Sequence, residues 1–506
     1  CVVRFLGVPF ASVERRFGRP GRPPVWWLPR LNPQTLRRCP QPCGDGFEWN
    51  EPAAAVFGSH RVADDENCLV ANVWAPVGAL LGTTALRPIV FYIHGGAGKL
   101  MSPHLDELSG LELARNHDLV FVAVHYRLGA LGWLAHPALS EEDDEERRRR
   151  QEENGSGNFA MLDLLAALRW VRVHGRRFGG DPRNVTVWGL STGAQLVANL
   201  LVCPPAAGLF HRAMLQSCVD LSNVRDLRAR SAVWQHKSAE EWGRALAAHL
   251  GCASSSVADE LCALRALPVE IFVEHSWAMA ASDCYEPCID RRAGSVKPRS
   301  SLEALKTGAW HRVPVMLGVT EHDGLGSCEL EWTMFPPKVA SVAAYTALLQ
   351  EKFGLKCERA LHLYQVSSDA DVDGALGQIS NDLWYLMGSW AMADLLASAA
   401  DATAVFTYVV SEAGFTTHGA DTPLWTGATT PMPASPSPRC AMAYLANFAK
   451  VGDPNGEGLP KWEPHTVDAP VEMELGATVG MRTRTREQAA RYELMGGFIM
   501  SGEVAA

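Results

Sequence analysis

The sequence predicts an α/β fold built on a central, mostly parallel sheet flanked by helices, and three observations predict it. Short β-rich runs, the clearest being Pro88-Ile-Val-Phe-Tyr-Ile93 and Leu119-Val-Phe-Val-Ala-Val-His125, occupy the first 135 residues. From Phe159 a helical pattern, Ala160-Met-Leu-Asp-Leu-Leu-Ala-Ala-Leu-Arg-Trp-Val171, leads through Phe178-Gly-Gly-Asp-Pro182 to the β-branched run Val185-Thr-Val187. That run turns through Gly189-Leu-Ser-Thr-Gly193 into Ala194-Gln-Leu-Val-Ala-Asn-Leu-Leu201, whose apolar spacing is again helical. Strand, helix and strand joined by short turns close on one another only as parallel strands with helical crossovers.

The remaining elements extend the same plan. Residues 230 to 400 carry several helical patterns, including Ala239-Glu-Glu-Trp-Gly-Arg-Ala-Leu-Ala-Ala-His-Leu250, and are interrupted by the strand-like Val313-Pro-Val-Met-Leu-Gly-Val319. A further strand, Ala404-Val-Phe-Thr-Tyr-Val-Val410, precedes His418. No repeat or linker divides the chain, so the expectation is one domain over 1–506 with large helical insertions. The block Ser140-Glu-Glu-Asp-Asp-Glu-Glu-Arg-Arg-Arg-Arg-Gln-Glu-Glu153 buries no apolar area, and the region 138–156 reads as an exposed insertion. Beside it, Asn154-Gly-Ser156 is a glycosylation sequon in an expected surface loop, whereas Asn184-Val-Thr186 abuts the elbow strand and is expected to be less accessible.

Composition narrows the class. The chain has 506 residues, 47% of them hydrophobic, enough for a large core, and its formal net charge of -10 argues against a nucleic-acid surface. No uninterrupted run of 18 apolar residues is present, so no transmembrane segment and a soluble protein are expected. The chain opens strand-like at Cys1-Val-Val-Arg-Phe without Met, which leads to the expectation that the natural N-terminus lies upstream, after a removed signal peptide or a truncation. Thirteen cysteines leave at least one without an intramolecular partner. Cys39 with Cys68 and Cys252 with Cys262 flank local segments and read as two staples, each stabilising by roughly 3 kcal/mol if formed, with buried free thiols as the alternative. Such bonds imply an oxidising compartment. Cys284-Tyr-Glu-Pro-Cys288 has no second pair at zinc spacing, so a local disulfide or free thiols are expected there and no metal.

The chemistry centres on Ser191. In a G-x-S-x-G turn between strand and helix, Gly189 and Gly193 let the backbones pass closely while the serine Oγ points outward. A serine hydroxyl is a poor nucleophile at neutral pH and needs a histidine to take its proton and a carboxylate to orient that histidine. In such folds the chain order is Ser, Asp or Glu, then His. Glu321 and Asp323 follow the Val313–Val319 strand, and His418 follows the next one. The run His94-Gly-Gly-Ala-Gly98, directly after a strand, offers the amides of Gly96 and Ala97 to a developing oxyanion, with the amide of Thr192 as third donor.

At this point the chain resembles the carboxylesterase and cholinesterase family over almost its whole length. Phe5-Leu-Gly-Val-Pro-Phe10, Glu66-Asn-Cys-Leu-Val-Ala-Asn-Val-Trp74, Tyr126-Arg-Leu-Gly129, Phe178-Gly-Gly-Asp-Pro-Arg-Asn-Val-Thr186 and Ala446-Asn-Phe-Ala-Lys-Val-Gly-Asp-Pro-Asn-Gly456 carry the resemblance. It implies an α/β-hydrolase fold and a serine esterase without cofactor acting on a small-molecule ester, in a secreted or lumenal setting. It also implies Ser191 as nucleophile, Asp323 as acid, His418 as base and Ser217 as a supporting serine. The disulfides Cys39–Cys68 and Cys252–Cys262, and the ion pairs Arg16–Glu66 and Arg127–Asp163, follow from the same resemblance. Departures are Leu190 where the family commonly has Glu, Thr192 at an oxyanion donor, Ala97 for a third glycine, and Cys218 after Ser217.

Two rival readings remain from the sequence. Family members that serve as adhesion or binding proteins typically lose a triad residue, and this chain keeps all three, although Leu190 and Thr192 leave room for a weakened enzyme. A lipase would require a long apolar lid between Cys39 and Cys68, where Pro40 to Pro52 is short and polar. Tryptophans are more often core than substrate-contacting, and Trp425, soon after His418, is the one for which core and gorge wall are equally open.

Overall fold

A computed structural model describes residues 1–23, 35–42, 56–57, 60–82, 85–150, 153–218, 225–230, 237–278, 286–324, 339–399, 403–428 and 433–501. Its centre is a ten-stranded sheet: β1 (Val2–Pro9), β2 (Val70–Pro76), β3 (Arg87–Ile93), β4 (Val120–Val124), β5 (Gly180–Leu190), β6 (Arg212–Gln216), β7 (Val315–Thr320), β8 (Val405–Val410), β9 (Val471–Leu475) and β10 (Val479–Thr483). The spatial order is β1-β2-β4-β3-β5-β6-β7-β8-β9-β10. Every pairing from β4 through β9 is parallel, and the outer pairings at both ends are antiparallel. This is the α/β-hydrolase arrangement. β4, β7 and β8 are buried along their entire length, which is why they read as continuous apolar runs without alternation.

Helices Phe159–His174 and Thr192–Leu201 cover one face of the sheet, whose core includes Phe91, Leu165, Val187, Leu196 and Leu317. On the other face, helix Ser437–Val451 packs Tyr444 and Phe448 with Trp188, Trp425 and Trp462. Trp425 is fully buried in this second core, against Tyr408 at 4.8 Å between ring centroids, with its indole N–H donating to Asp421. It therefore fills the core and does not line a gorge.

Register assembles the functional edge. Ile93 pairs with Gly189, Leu190 with Gln216, Gln216 with Gly318, and Thr320 with Val410. The carboxyl ends of β3, β5, β6, β7 and β8 thus finish side by side, where an open parallel sheet places its ligands.

Two ion pairs tie loops to this scaffold. Arg127 meets Asp163 through Nε and a terminal nitrogen at 2.8 and 2.7 Å, both side chains buried, and Arg16 grips Glu66 in the same two-pronged way. Among the described residues no helix is long and apolar enough to cross a membrane.

Residues 140–150 of the charge block continue helix Pro137–Arg150, with Glu141, Glu145, Glu146 and Arg149 exposed and Arg149 donating to Glu145 one turn earlier, while Glu142 and Asp143 dock its inner face. Glu142 binds Arg15 and Arg265, and the buried Asp143 accepts the backbone N–H groups of Gly155 and Ser156. Asn154 is consequently only 2% exposed, its side-chain amide donating to Asp290, so the sequon does not lie on the surface. Asn184 is the more accessible of the two, although its amide donates to the Lys450 carbonyl.

Cys39 and Cys68 form a disulfide with 4.9 Å between Cα atoms, but Cys252 and Cys262 are separate thiols. Cys252 is buried before helix Val257–Ala266, which turns Leu261 and Leu264 inward and leaves Cys262 on its exposed face. N-ethylmaleimide is expected to alkylate Cys262 in the folded protein and Cys252 only after denaturation. A Cys252–Cys262 cross-linked peptide in a non-reducing digest would contradict this. Cys284 and the polar stretch 43–52 lie outside the described residues.

Candidate active site

The strand β5 ends at Leu190, and helix Thr192–Leu201 begins at once, leaving Ser191 alone to turn the chain. Its backbone sits at φ 57° and ψ -124°, a region that costs a non-glycine residue of order 1–3 kcal/mol and persists only where the surroundings enforce it. The enforcement is visible in two glycines. A Cβ on Gly189 would lie 2.1 Å from the Gly193 carbonyl oxygen, and one on Gly193 would lie 2.1 Å from that of Ile93. The Ser191 N–H donates to the Gln216 carbonyl at 2.8 Å, fixing the elbow to β6.

The glycine run after β3 passes over the elbow. A Cβ on Gly95 would come within 3.1 Å of the Ser191 Cβ, so the two backbones touch. Gly96 has φ 95° and Ala97 φ 56°, both left-handed, and the Gly96 carbonyl is held by the amides of Lys99 and Leu100. Alanine thus takes on strain that glycine would not carry at that position. His94 is fully buried, its Nδ1 2.9 Å from the Gly95 carbonyl oxygen, and burial lowers it to about 4, so it stays neutral near pH 7. Tyr126 stacks on that ring and donates its hydroxyl to the His94 carbonyl at 3.0 Å.

The acid and base come from the neighbouring strand ends. Asp323 is fully buried, and its Oδ1 lies 2.6 Å from His418 Nδ1. Its Oδ2 accepts the Ser217 hydroxyl at 2.6 Å and the Thr320 N–H at 3.0 Å. His418 is about one-third exposed, at 32% of its side chain, and Nδ1 is the nitrogen that meets the carboxylate. Glu321 is exposed, its N–H spent on the Val410 carbonyl, and it takes no part in this contact. Ser217, at φ 55°, is locked by its own N–H to the Gly318 carbonyl.

The departures from the family pattern have places in this structure. Leu190 is buried, with a methyl 3.3 Å from where a Gly419 Cβ would stand, so it packs apolar surface beneath the turn after His418. Thr192 and Cys218 are both buried beside the site.

Sequence reading missed several residues here. Asp421 is buried, with Gln216 and Trp425 donating to it, and burial followed by the nearby charge of Asp323 pushes its carboxyl up to about 7. Asn381 accepts the Gly324 N–H, and Tyr385 lies against the His418 ring. Only the Gly-x-Asp spacing after His418 could have drawn attention to Asp421; Asn381 and Tyr385 sit in an apolar helical run without a motif. Among the described residues no cluster of three or more His, Cys, Asp or Glu is placed to hold a metal ion.

Residues 1–493 match the carboxylesterase family. The chain belongs to that family. It is similar to the fumonisin B1 esterase of Sphingopyxis macrogoltabida, at 31% identity over 390 residues that cover 76% of this chain and 64% of that protein. Carboxylesterase 5A of Felis catus is 29% identical over 518 aligned residues, 96% of this chain and 88% of the relative. Human carboxylesterase 3 is 32% identical over 325 residues, 63% of this chain and 50% of its own length. The chain thus spans less than two thirds of two of these three relatives.

Proposed function

We propose that this family member cleaves small carboxylic esters through an acyl-enzyme, with Ser191 as nucleophile, His418 as base and Asp323 as orienting acid. The observation that carries the reading is the 2.6 Å contact of His418 Nδ1 with a buried Asp323, on the sheet edge where Ser191 is held in its left-handed elbow. With Nδ1 committed to Asp323, Nε2 is the nitrogen left to accept the Ser191 proton.

The Ser191 oxygen bonds to the ester carbonyl carbon while its proton moves to His418, and the negative oxygen collects on the amides of Gly96, Ala97 and Thr192. The carbon–oxygen bond to the alcohol then breaks, and His418 returns the proton to the departing alkoxide. Water adds to the acyl-enzyme, giving a proton to His418, and the proton passes back to Ser191 as the carboxylic acid leaves. These steps use no metal or organic cofactor. The Cys39–Cys68 disulfide supports residence in an oxidising compartment, the secretory lumen or outside the cell.

The test is a fluorophosphonate probe, with p-nitrophenyl acetate, butyrate and octanoate as substrates. One equivalent of label is expected on the Ser191 peptide by mass spectrometry, together with ester turnover whose chain-length preference sizes the pocket. A folded protein that neither labels nor turns over any of the three would overturn the reading and favour a binding protein with a silenced elbow.

A further inference from the structure

The helix before β8 changes its winding at the site. Residues Val372–Ser380 are α-helical, Asn381–Leu386 form a π-helical segment, and Met387–Ala397 resume the α-helix. Such widened turns are rare and often sit at functional sites, because they trade hydrogen-bond geometry for a particular placement of side chains. This one touches both halves of the acid–base pair. Asn381 Oδ1 accepts the Gly324 N–H at 2.9 Å, and its backbone is so close that a Cβ on Gly324 would stand 2.3 Å from the Asn381 nitrogen. Four residues on, the half-buried Tyr385 ring lies 4.8 Å from the His418 ring, centroid to centroid, tilted by 43°.

The segment is anchored from behind. Asp382, buried, accepts the Tyr364 hydroxyl at 2.8 Å and the Gln378 amide at 2.9 Å, and lies 3.7 Å from Arg491 of the C-terminal helix Arg486–Ser501. Acid turn and base are therefore held from one rigid element instead of two independent loops.

We propose that Tyr385 is a positioning residue for His418, its ring fixing the imidazole and stabilising the imidazolium that exists while His418 holds the Ser191 proton. This rests on His418 acting as the base. An aromatic face within about 6 Å of a cation attracts it through the ring quadrupole. Because the charge on His418 appears only along the reaction, the benefit falls on the chemical step and not on substrate binding.

The test compares p-nitrophenyl butyrate hydrolysis by the wild type, Tyr385→Leu, Tyr385→Phe and a chain carrying pentafluorophenylalanine at position 385, with thermal melts to confirm folding. Tyr385→Leu is expected to lower kcat about fivefold to twentyfold with KM within about twofold, and Tyr385→Phe to restore most of kcat. The pentafluoro ring keeps the shape and reverses the face potential, so it is expected to fall with the leucine variant. Equal kcat for the phenylalanine and pentafluorophenylalanine forms would overturn the proposal, as would a leucine variant whose loss lies in KM alone. His418→Ala separates the premise: full turnover in that variant would sink the base assignment and Tyr385 with it. Lost turnover there, beside unchanged kcat across the Tyr385 series, would sink only the role of Tyr385.

Discussion

Ser191→Ala is expected to leave a folded protein whose kcat on p-nitrophenyl butyrate is lower by about a millionfold, with fluorophosphonate labelling abolished. The size follows from what the residue does: without Oγ no acyl-enzyme forms, and His418 and Asp323 have no nucleophile to activate. What survives is the rate that oriented backbone amides and binding give over water, about a thousandfold to ten-thousandfold. The fold should survive because the constraints on position 191 act on its backbone. Gly189, Gly193 and the Gln216 carbonyl hold the left-handed turn, and alanine keeps the same Cβ. A melting temperature near the wild-type value is therefore part of the expectation. Retained turnover in this variant would mean that another group performs the chemistry.

Thr192 and Ala97 enter the same measurement from the other side. Both stand at amides proposed to receive the oxyanion, and Ala97 holds a positive φ that glycine would adopt without strain. If wild-type turnover is slow while labelling by the probe is complete, the nucleophile is competent and the slow step lies elsewhere in the cycle. Leu190 gives a second reason for a slower enzyme, since an aliphatic side chain beneath Gly419 supplies packing but no charge near the base.

The sheet and the elbow were legible because both rest on local pattern. Nearly continuous apolar runs marked the strands β3, β4, β7 and β8, and the glycines flanking Ser191 declared their purpose through spacing alone. The choice between Glu321 and Asp323 was not legible from the residues, because two carboxylates two positions apart differ only in how the turn after β7 folds. Here the turn spends the Glu321 N–H on Val410 and curls Asp323 back to receive the Thr320 N–H. Composition marked the exposed face of the charged block but not its inner one, where one buried carboxylate, Asp143, organises the loop behind it. Cys252 and Cys262 enclose a loop of plausible size, yet Cys252 is buried ahead of the helix starting at Val257 and that helix turns Cys262 out to solvent. Asn381 and Tyr385 are defined by a change of helical winding, and winding of that kind leaves no periodic trace over six residues.

Asp323→Asn is expected to lower kcat by about 10⁴-fold while Glu321→Gln stays within about twofold of wild type. The asymmetry follows from donors already in place. One side of the Asp323 carboxyl accepts from the Ser217 hydroxyl and the Thr320 N–H, so an asparagine there must turn its carbonyl oxygen to that side. Its NH₂ group then faces His418 Nδ1, which becomes an acceptor, and the ring proton is driven to Nε2. A protonated Nε2 on a neutral ring has no lone pair for the Ser191 proton, so the base is disabled without any displacement of atoms. Ser217→Ala combined with Asp323→Asn should recover part of the loss, because removing one of the two donors lets the amide flip and present its oxygen to His418 more often. Fluorophosphonate labelling rates for the three variants read the same quantity without turnover, since phosphonylation needs the same proton transfer. A drop in Glu321→Gln with Asp323→Asn unchanged would move the acid to Glu321, and with it the assignment of the whole turn after β7.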